Sequence, residues 1–217
     1  MTVRAVFFDL DGTLVDSLPD LADAVNHMLA CIGRPPLGLA TLRGMLGSGV
    51  RELIRRALST DIPAEIEKGL GLFLEFNTLH IADKSKLYPG AREVLERLSA
   101  HGIDLTIISN KNEALSRLIL KELGIDHYFS TICGGDTFEE MKPSPLPLRR
   151  VMERLVIPAE CAVMVGDSIN DIQAGRRAGI STIGCSWGYG DYEELREACH
   201  LAASCEAVGA ILLRREI

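Results

Sequence analysis

The sequence predicts an α/β protein whose core is a Rossmann-like, doubly wound parallel sheet, with a small helical cap domain inserted into that core. Two observations carry this prediction. Short apolar runs alternate with helical segments over residues 103–185, which is typical of proteins built from successive strand and helix units. A long stretch of helical periodicity separates the first apolar run from the second. The length of 217 residues is sufficient for a core domain with a smaller partner.

Five apolar runs are expected to form the sheet. They are nearly continuous in apolar residues, as strands covered on both faces are. They span residues 3–8, 103–108, 131–133, 161–165 and 181–185. Helices are predicted between the last four runs, at residues 112–123, 145–155 and 169–178. Because strand-to-strand crossovers are right-handed by default, this order predicts an open parallel sheet.

The connection after the first strand is unusually long. About 94 residues separate Asp9 from the second strand at Ile103, whereas a crossover usually needs about a dozen. Helical periodicity predicts four helices in this insertion, at residues 18–31, 39–45, 50–58 and 64–82. We therefore predict a helical cap domain over residues 16–87 and a core domain over residues 1–15 and 88–217.

Charge and composition narrow the classes of function. The net charge of -7 favours neither nucleic acid nor an anionic membrane surface as a partner, although a small anionic ligand could bind locally. The sequence shows neither a signal-like segment nor 18 uninterrupted apolar residues, so we expect a cytoplasmic protein. The six cysteines lack Cys-x-x-Cys spacing and predict no zinc or redox site.

Polar residues follow four of the predicted strands. Ligands of open parallel sheets bind beyond the carboxyl ends of the strands, so these polar residues are expected to meet at one edge. In chain order they are Asp9 and Asp11, Ser109 and Asn110, Lys142, and Asp167 and Asp171. Four carboxylates would repel one another, and Mg²⁺, which commonly binds carboxylates, waters and a phosphate oxygen, would relieve that repulsion. A hydroxyl and an ammonium beside the metal predict a phosphate site, and hence phosphoryl transfer.

Each of these motifs has a simpler interpretation when it is taken alone. Asp-x-Asp-Gly is common in tight turns, and Asp167 with Asp171 could serve only the N-terminus of a helix. Lys142 alone resembles a solvated loop lysine. A calcium-binding EF-hand does not fit, because Thr13 and Leu14 stand where its loop needs an acid or amide and a glycine. Only the combination of motifs favours a catalytic site.

The combined motifs resemble those of a known family. In order, the haloacid dehalogenase superfamily motifs correspond to Asp-Leu-Asp-Gly-Thr-Leu-Val-Asp-Ser (residues 9–17), Ser109-Asn110, Lys142-Pro143 and Gly-Asp-Ser-Ile-Asn-Asp (residues 166–171). The resemblance covers nearly the whole chain. Its helical insertion is similar to the small cap of phosphoglycolate phosphatase and β-phosphoglucomutase relatives.

The resemblance implies a role for each residue of the site. Asp9 would attack phosphorus and form an aspartyl-phosphate, and Asp11 would protonate the leaving oxygen and then activate water. Ser109, Asn110 and Lys142 would hold the phosphoryl oxygens. Mg²⁺ would be bound by Asp9, the backbone carbonyl of Asp11 and Asp167, with Asp171 supporting directly or through water.

The same resemblance indicates the reaction and the substrate. Dehalogenases of the superfamily generally lack the second aspartate, so Asp11 implies a phosphatase. The cap segment at residues 47–51 resembles the substrate-facing loop of phosphoglycolate phosphatases, which implies substrate contacts by Ser48 and Arg51; the alternative is a plain helix start after a glycine turn. We therefore expect a Mg²⁺-dependent hydrolase of a small phosphorylated metabolite, 2-phosphoglycolate first.

Two other functions remain open at this point. A β-phosphoglucomutase-like mutase would return the phosphate to a bisphosphate intermediate rather than release it. A non-enzymatic phosphoacceptor, similar to a receiver domain, also uses acids, a hydroxyl and a lysine at one sheet edge. Receivers are about half as long and lack the helical insertion, which disfavours this second alternative.

Overall fold

A computed structural model describes residues 2–213, and its core is a six-stranded parallel sheet. In chain order the strands are β1 (Ala5–Phe8), β2 (Val15–Asp16), β3 (Lys86–Leu87), β4 (Asp104–Ile108), β5 (Thr131–Cys133), β6 (Ala162–Gly166), β7 (Ser181–Cys185) and β8 (His200–Ala202). The helices are α1 (Leu18–Cys31), α2 (Leu39–Arg43), α3 (Val50–Leu58), α4 (Pro63–Leu79), α5 (Ala91–Ala100), α6 (Glu113–Glu122), α7 (Leu146–Leu155), α8 (Ile169–Ala178), α9 (Tyr192–Leu195) and α10 (Cys205–Leu213).

The strand order places β1 at the centre of the sheet. The order is β5-β4-β1-β6-β7-β8, and every neighbouring pair is parallel. Phe8, the last residue of β1, pairs with Ile107 on one side and with Val165 on the other. The chain winds outward from β1 in both directions, so the carboxyl end of β1 is the switch point where ligands of such sheets bind.

Both faces of the sheet are covered by helices, which explains the continuous apolar runs. Successive β1 side chains point to opposite faces, so Val6 and Phe8 join one apolar cluster and Ala5 and Phe7 join the other. The first cluster contains residues of α5, α6 and α10, and the second contains residues of α7 and α8. The α/β fold class predicted from the sequence is therefore confirmed.

Several elements differ from the prediction. The five predicted strands are present in the core sheet, and β8 adds a sixth strand to that sheet. β8 was missed because three residues with only one buried side chain give no apolar run, and the short pair of β2 and β3 was not predicted either. Helices α5 and α10 were also missed, although both pack on the sheet. In the insertion, α2 ends at Arg43 rather than at residue 45, and α4 spans Pro63–Leu79 rather than residues 64–82.

The four helices of the insertion pack on one another around an apolar cluster of their own. Val25 and Met28 of α1, Ile54 of α3 and Phe73 of α4 are almost completely buried in it. The chain enters and leaves the insertion through β2 and β3, which pair antiparallel. The predicted domain division would fall within this pair at one end, between Val15 and Asp16 of β2, and directly after Leu87 of β3 at the other. Met1 and residues 214–217 of the predicted core domain lie outside the described residues.

A buried carboxylate fixes the two connecting segments to each other. Asp20, in the first turn of α1, accepts hydrogen bonds from the backbone N–H groups of Lys84 and Ser85 and from the Ser85 hydroxyl.

Across the described part of the chain, no helix has the length and apolarity that crossing a membrane requires.

Candidate active site

The residues predicted from four strand ends meet at one edge of the sheet, beneath the helices of the insertion. A cavity of about 370 Å³ lies between this edge and the cap helices. The predicted residues that line it are Asp9, Asp11, Ser48, Ser109, Asn110, Lys142 and Asp167. A volume of this size is within the range of small-molecule sites in proteins.

Asp9 leaves the carboxyl end of the central strand and is almost fully buried. Its backbone N–H donates to the carbonyl of Val165, which continues the pairing of β1 with β6 by one residue. Its Oδ1 forms an ion pair with Nζ of Lys142 at 2.9 Å. Burial raises the pKa of Asp9, and the charge of Asp171 raises it further, while Lys142 opposes both effects.

Lys142 is held between two carboxylates. Its Nζ donates to Oδ1 of Asp171 at 2.6 Å and also lies beside Asp9. Burial alone would lower the pKa of this lysine, but the two carboxylates outweigh burial and raise it. Lys142 therefore stays protonated at neutral pH despite being buried.

Both carboxylate oxygens of Asp171 accept hydrogen bonds. Oδ1 accepts from Lys142, and Oδ2 accepts from the backbone N–H and the hydroxyl of Ser168. The bond from the Ser168 backbone N–H belongs to a capping box at the start of α8, where Ser168 is the N-cap residue. The arrangement fits a supporting role for Asp171, and direct metal ligation by this residue stays a prediction.

The side chain of Asp167 is closely surrounded by residues of neighbouring loops. Its Oδ1 accepts from the hydroxyl of Thr13 at 2.9 Å and its Oδ2 from the backbone N–H of Tyr189 at 2.6 Å. A Cβ at Gly12, where φ is +90°, would lie 2.4 Å from Asp167 Oδ2, and a Cβ at Gly188 would lie 2.2 Å from Asp167 Cβ. Only glycine leaves room for the carboxylate on either side.

The donor set of this edge fits a hard cation. One carboxylate oxygen from each of Asp9, Asp167 and Asp171 lies within 4.8 Å of the others, and all three residues are buried. Burial, together with the charges of Asp9 and Asp171, raises the pKa of Asp167. A cation would offset this repulsion, and oxygen-only ligands are those that Mg²⁺ prefers.

The carboxylate of Asp11 is held apart from this cluster. Its Oδ1 accepts from the hydroxyl of Ser17 at 2.6 Å, and its Oδ2 lies 3.1 Å from Nζ of Lys111. No role was predicted for Lys111, although it follows Ser109 and Asn110 at the same strand end. The backbone carbonyl of Asp11 is still its predicted metal ligand.

Asn110 links the cap to the loop that carries Lys142. Its Nδ2 donates to the carbonyls of Gly47, in the cap, and of Lys142. Asn170, at the start of α8, also donates to the Gly47 carbonyl. The side-chain nitrogen of Asn110 therefore docks the cap loop, and phosphate binding by Asn110 and by the buried Ser109 stays a prediction.

A second contact between cap and core involves Tyr189, a residue that was not predicted from the sequence. The Tyr189 hydroxyl accepts from the backbone N–H groups of Ser17 and Leu18 and donates to Oδ1 of Asp16. Arg43 of α2 donates to the carbonyl of Gly188, and its guanidinium carbon lies 6.0 Å from the centre of the Tyr189 ring. Tyr189 follows the end of β7, so the strand-end rule could have identified it.

The two predicted substrate-contacting residues of the cap have different positions. Ser48 lines the cavity. The guanidinium of Arg51 instead pairs with Glu67 on the surface, where the Arg51 side chain is 59% exposed, and Arg51 is not one of the described residues that line the cavity. Arg56, on the same helix, does line it. The structure therefore supplies no contact in favour of substrate binding by Arg51.

Known proteins are similar to this chain in sequence. Residues 6–185 match the model of the family described as haloacid dehalogenase-like hydrolase. The chain is 45% identical over 194 residues to a phosphoglycolate phosphatase from Neisseria gonorrhoeae, covering 87% of this chain and 82% of that protein. It is 42% identical over 198 residues to a phosphoglycolate phosphatase from Chromobacterium violaceum, covering 89% of each.

Solved structures give the same result for the fold. A crystal structure from Haemophilus somnus, described as a predicted phosphoglycolate phosphatase, superposes with a TM-score of 0.93 at 30% identity and covers 97% of this chain and 98% of that one. The structure of CbbY from Rhodobacter sphaeroides in complex with phosphate superposes with a TM-score of 0.80 at 28% identity, covering 94% and 95%.

Proposed function

The chain belongs to the haloacid dehalogenase-like hydrolase family and is a phosphatase, and from this premise we propose that it hydrolyses small phosphomonoesters, 2-phosphoglycolate first, through a phosphorylated Asp9. The observation that carries the proposal is the position of Asp9. It stands at the switch point of the sheet, in a cavity lined by both core and cap residues, and is paired with a buried lysine. Relatives named phosphoglycolate phosphatase support the choice of substrate.

In the first half of the proposed reaction, an oxygen of Asp9 attacks phosphorus and the bond between phosphorus and the ester oxygen breaks. The ammonium of Lys142, which is buried beside Asp9, balances negative charge at the attacked phosphoryl group. Asp11 donates its proton to the departing alkoxide, which leaves as an alcohol. Asp9 then carries the phosphoryl group as an acyl phosphate.

In the second half, Asp11 acts as a base. Its carboxylate takes a proton from water, the water oxygen attacks phosphorus, and the acyl phosphate bond breaks to release inorganic phosphate and restore Asp9. Ser17 and Lys111 hold the Asp11 carboxylate in one position, where a freely rotating side chain would lose alignment in both proton transfers.

The metal belongs to the same proposal. Asp9, Asp167 and the backbone carbonyl of Asp11 would hold Mg²⁺, with Asp171 behind them fixing Lys142. When bound, Mg²⁺ neutralises charge that develops on the phosphoryl oxygens. Thr13 and Tyr189 orient the Asp167 carboxylate by donating one hydrogen bond to each of its oxygens.

We also propose that residues 16–87 act as a cap domain on a core formed by residues 1–15 and 88–217, and that the protein acts in the cytoplasm. The separate apolar cluster of α1–α4 supports this division. Gly47 and Arg43 are among the cap residues that contact the core edge, and a closed cap would exclude water during phosphoryl transfer.

The proposed function is tested by measuring phosphate release with Mg²⁺. The substrates are 2-phosphoglycolate, hexose phosphates, nucleotides and pyrophosphate, compared by kcat/KM. We expect the highest value for 2-phosphoglycolate. Conversion of a sugar phosphate to its isomer without phosphate release would instead indicate a mutase, and equal values for all substrates would reject the choice of 2-phosphoglycolate.

A further inference from the structure

The cavity wall formed by the cap contains a buried amide with no partner. Asn77 of α4 is 1% exposed and lines the cavity together with Leu21 of α1, Leu53 of α3 and Phe73 of α4. Neither Nδ2 nor Oδ1 of Asn77 has a hydrogen-bond partner within residues 2–213. The amide is therefore buried within the cavity wall, beside apolar side chains that also line the cavity.

Such an amide is unfavourable unless something in the cavity binds it. A buried polar group without a hydrogen bond destabilises a fold, and most buried polar groups in proteins are paired. A partly buried amide of the cap is paired: Asn26 of α1 donates to the carbonyl of Leu37 and accepts from the backbone N–H of the same residue. An aliphatic residue at position 77 would pack against the same neighbours without the unpaired amide.

We propose that Asn77 is a specificity-determining residue whose amide binds the far end of the substrate's leaving group. This proposal rests on the proposed phosphatase function. The phosphoryl group would lie at Asp9, the carbon chain of the leaving group would contact Leu21, Leu53 and Phe73, and Nδ2 of Asn77 would donate to a terminal oxygen.

The charge of the same wall narrows the class of leaving group. Arg56 of α3 lines the cavity; its Nε donates to Glu52 and its Nη1 to the carbonyl of Met45, so among the described residues its Nη2 is left without a hydrogen-bond partner. A cation beside an amide donor favours a terminal carboxylate over a neutral or cationic group. The inferred ligands are thus phosphate esters of short hydroxy acids.

The experiment compares matched pairs of substrates. Phosphate esters of ω-hydroxy acids with two, three and four carbons, beginning with 2-phosphoglycolate, are paired with alkyl phosphates of the same chain length. The ratio of kcat/KM within each pair measures recognition of the carboxylate alone. The ratio is determined for wild type, for Asn77→Leu and for the control Asn26→Leu, which removes a paired amide of the same cap by the same substitution.

We expect Asn77→Leu to lower the ratio at least tenfold for one chain length or more, and Asn26→Leu to keep the wild-type ratio. Because it removes an unpaired buried amide, Asn77→Leu should also raise the Tm by about 2–4 °C, whereas Asn26→Leu should lower it. An unchanged ratio in Asn77→Leu at every chain length would overturn the proposal, as would an equal fall in both variants.

A failure of the phosphatase function itself would be seen separately. If wild type hydrolyses none of these esters, the proposed function is wrong. The role of Asn77 is then tested by binding of 2-phosphoglycolate alone. In that case, 2-phosphoglycolate at a fixed millimolar concentration should raise the Tm of wild type and of Asn26→Leu, but not that of Asn77→Leu. Equal shifts in all three proteins, or none, would overturn the role of Asn77.

Discussion

The ammonium nitrogen of Lys111 lies 3.1 Å from a carboxylate oxygen of Asp11, and both side chains are mostly buried. The pair is local to one edge of the sheet, because Asp11 follows β1 and Lys111 follows the neighbouring β4. A second bond, from the Ser17 hydroxyl, leaves the Asp11 carboxylate little freedom. We take Lys111 to be a positioning residue for the proposed acid and base.

Replacing Lys111 with methionine should lower kcat by about tenfold to a hundredfold and change KM little. A positioned acid or base contributes about 10²–10⁴-fold to rate, and a carboxylate that loses its orientation loses part of that factor. Steady-state kinetics with 2-phosphoglycolate measure both constants. Lys121→Met, at an exposed position on α6, is the control, and an equal kcat in the two variants would contradict a positioning role.

Replacing Tyr189 with phenylalanine should lower the free energy of unfolding by about 1–3 kcal/mol. The change removes the acceptor for the backbone N–H groups of Ser17 and Leu18, which are at the start of α1. Urea unfolding measures the effect. Tyr192→Phe, at an exposed side chain, should stay within about 0.5 kcal/mol of wild type, and similar stabilities for both variants would argue against the contact.

Replacing Gly188 with alanine should weaken Mg²⁺ activation by about 10–100-fold, which is the usual effect of disturbing a group next to a metal ligand. The new Cβ would lie 2.2 Å from Cβ of Asp167, so this carboxylate or the loop must move. The measurement is the Mg²⁺ concentration that gives half-maximal activity.

Gly71→Ala is the matched control for that substitution. No described atom outside its own helix backbone lies within 4 Å of a Cβ at this exposed position of α4. The change should stabilise the fold by roughly 0.5–1 kcal/mol, since alanine loses less conformational entropy in a helix than glycine does. A similar loss of Mg²⁺ activation in both variants would show that the close fit around Asp167 is unimportant.

Replacing Asp20 with alanine should destabilise the protein by about 3 kcal/mol or more. The buried carboxylate accepts hydrogen bonds from Lys84 and Ser85, and each bond to a charged group contributes roughly 1.5–3 kcal/mol. Asp23→Ala removes an exposed carboxylate that pairs with Lys84 on the surface, and should cost about 1 kcal/mol or less. Thermal or urea unfolding of the two variants separates these expectations, and equal losses would contradict them.

The sequence predicted those parts of the fold that depend on local pattern. The continuous apolar runs of β1, β6 and β7 reflect burial on both faces, and the periodicity of α1 and α3 gave their bounds directly. It missed β8, which becomes a strand only because β7 offers a parallel partner, and that partner is distant in sequence. A strand of three residues that depends on a distant partner has no recognisable sequence pattern of its own.

For the site as well, the sequence predicted what depends on position along the chain and missed what depends on distant partners. Asp9, Lys142 and Asp167 were predicted because each follows a strand end in one sheet, and the sheet order brings those ends together. The partners of a long side chain depend on its rotamer and on the loop beside it. The sequence could therefore predict neither that Lys111 binds Asp11 nor that Arg51 pairs with Glu67 on the surface.

The central claim is that Asp9 carries the phosphoryl group, and the most direct test is to trap that intermediate. Wild type and Asp11→Asn are mixed with ³²P-labelled 2-phosphoglycolate and Mg²⁺ and quenched in acid within milliseconds to seconds. The labelled site is located by borohydride reduction and peptide mass spectrometry. We predict label on Asp9, more persistent in Asp11→Asn because the base for hydrolysis is lost, and none in Asp9→Asn. Turnover of the ester without label on Asp9, or phosphate release by Asp9→Asn near the wild-type rate, would contradict the account.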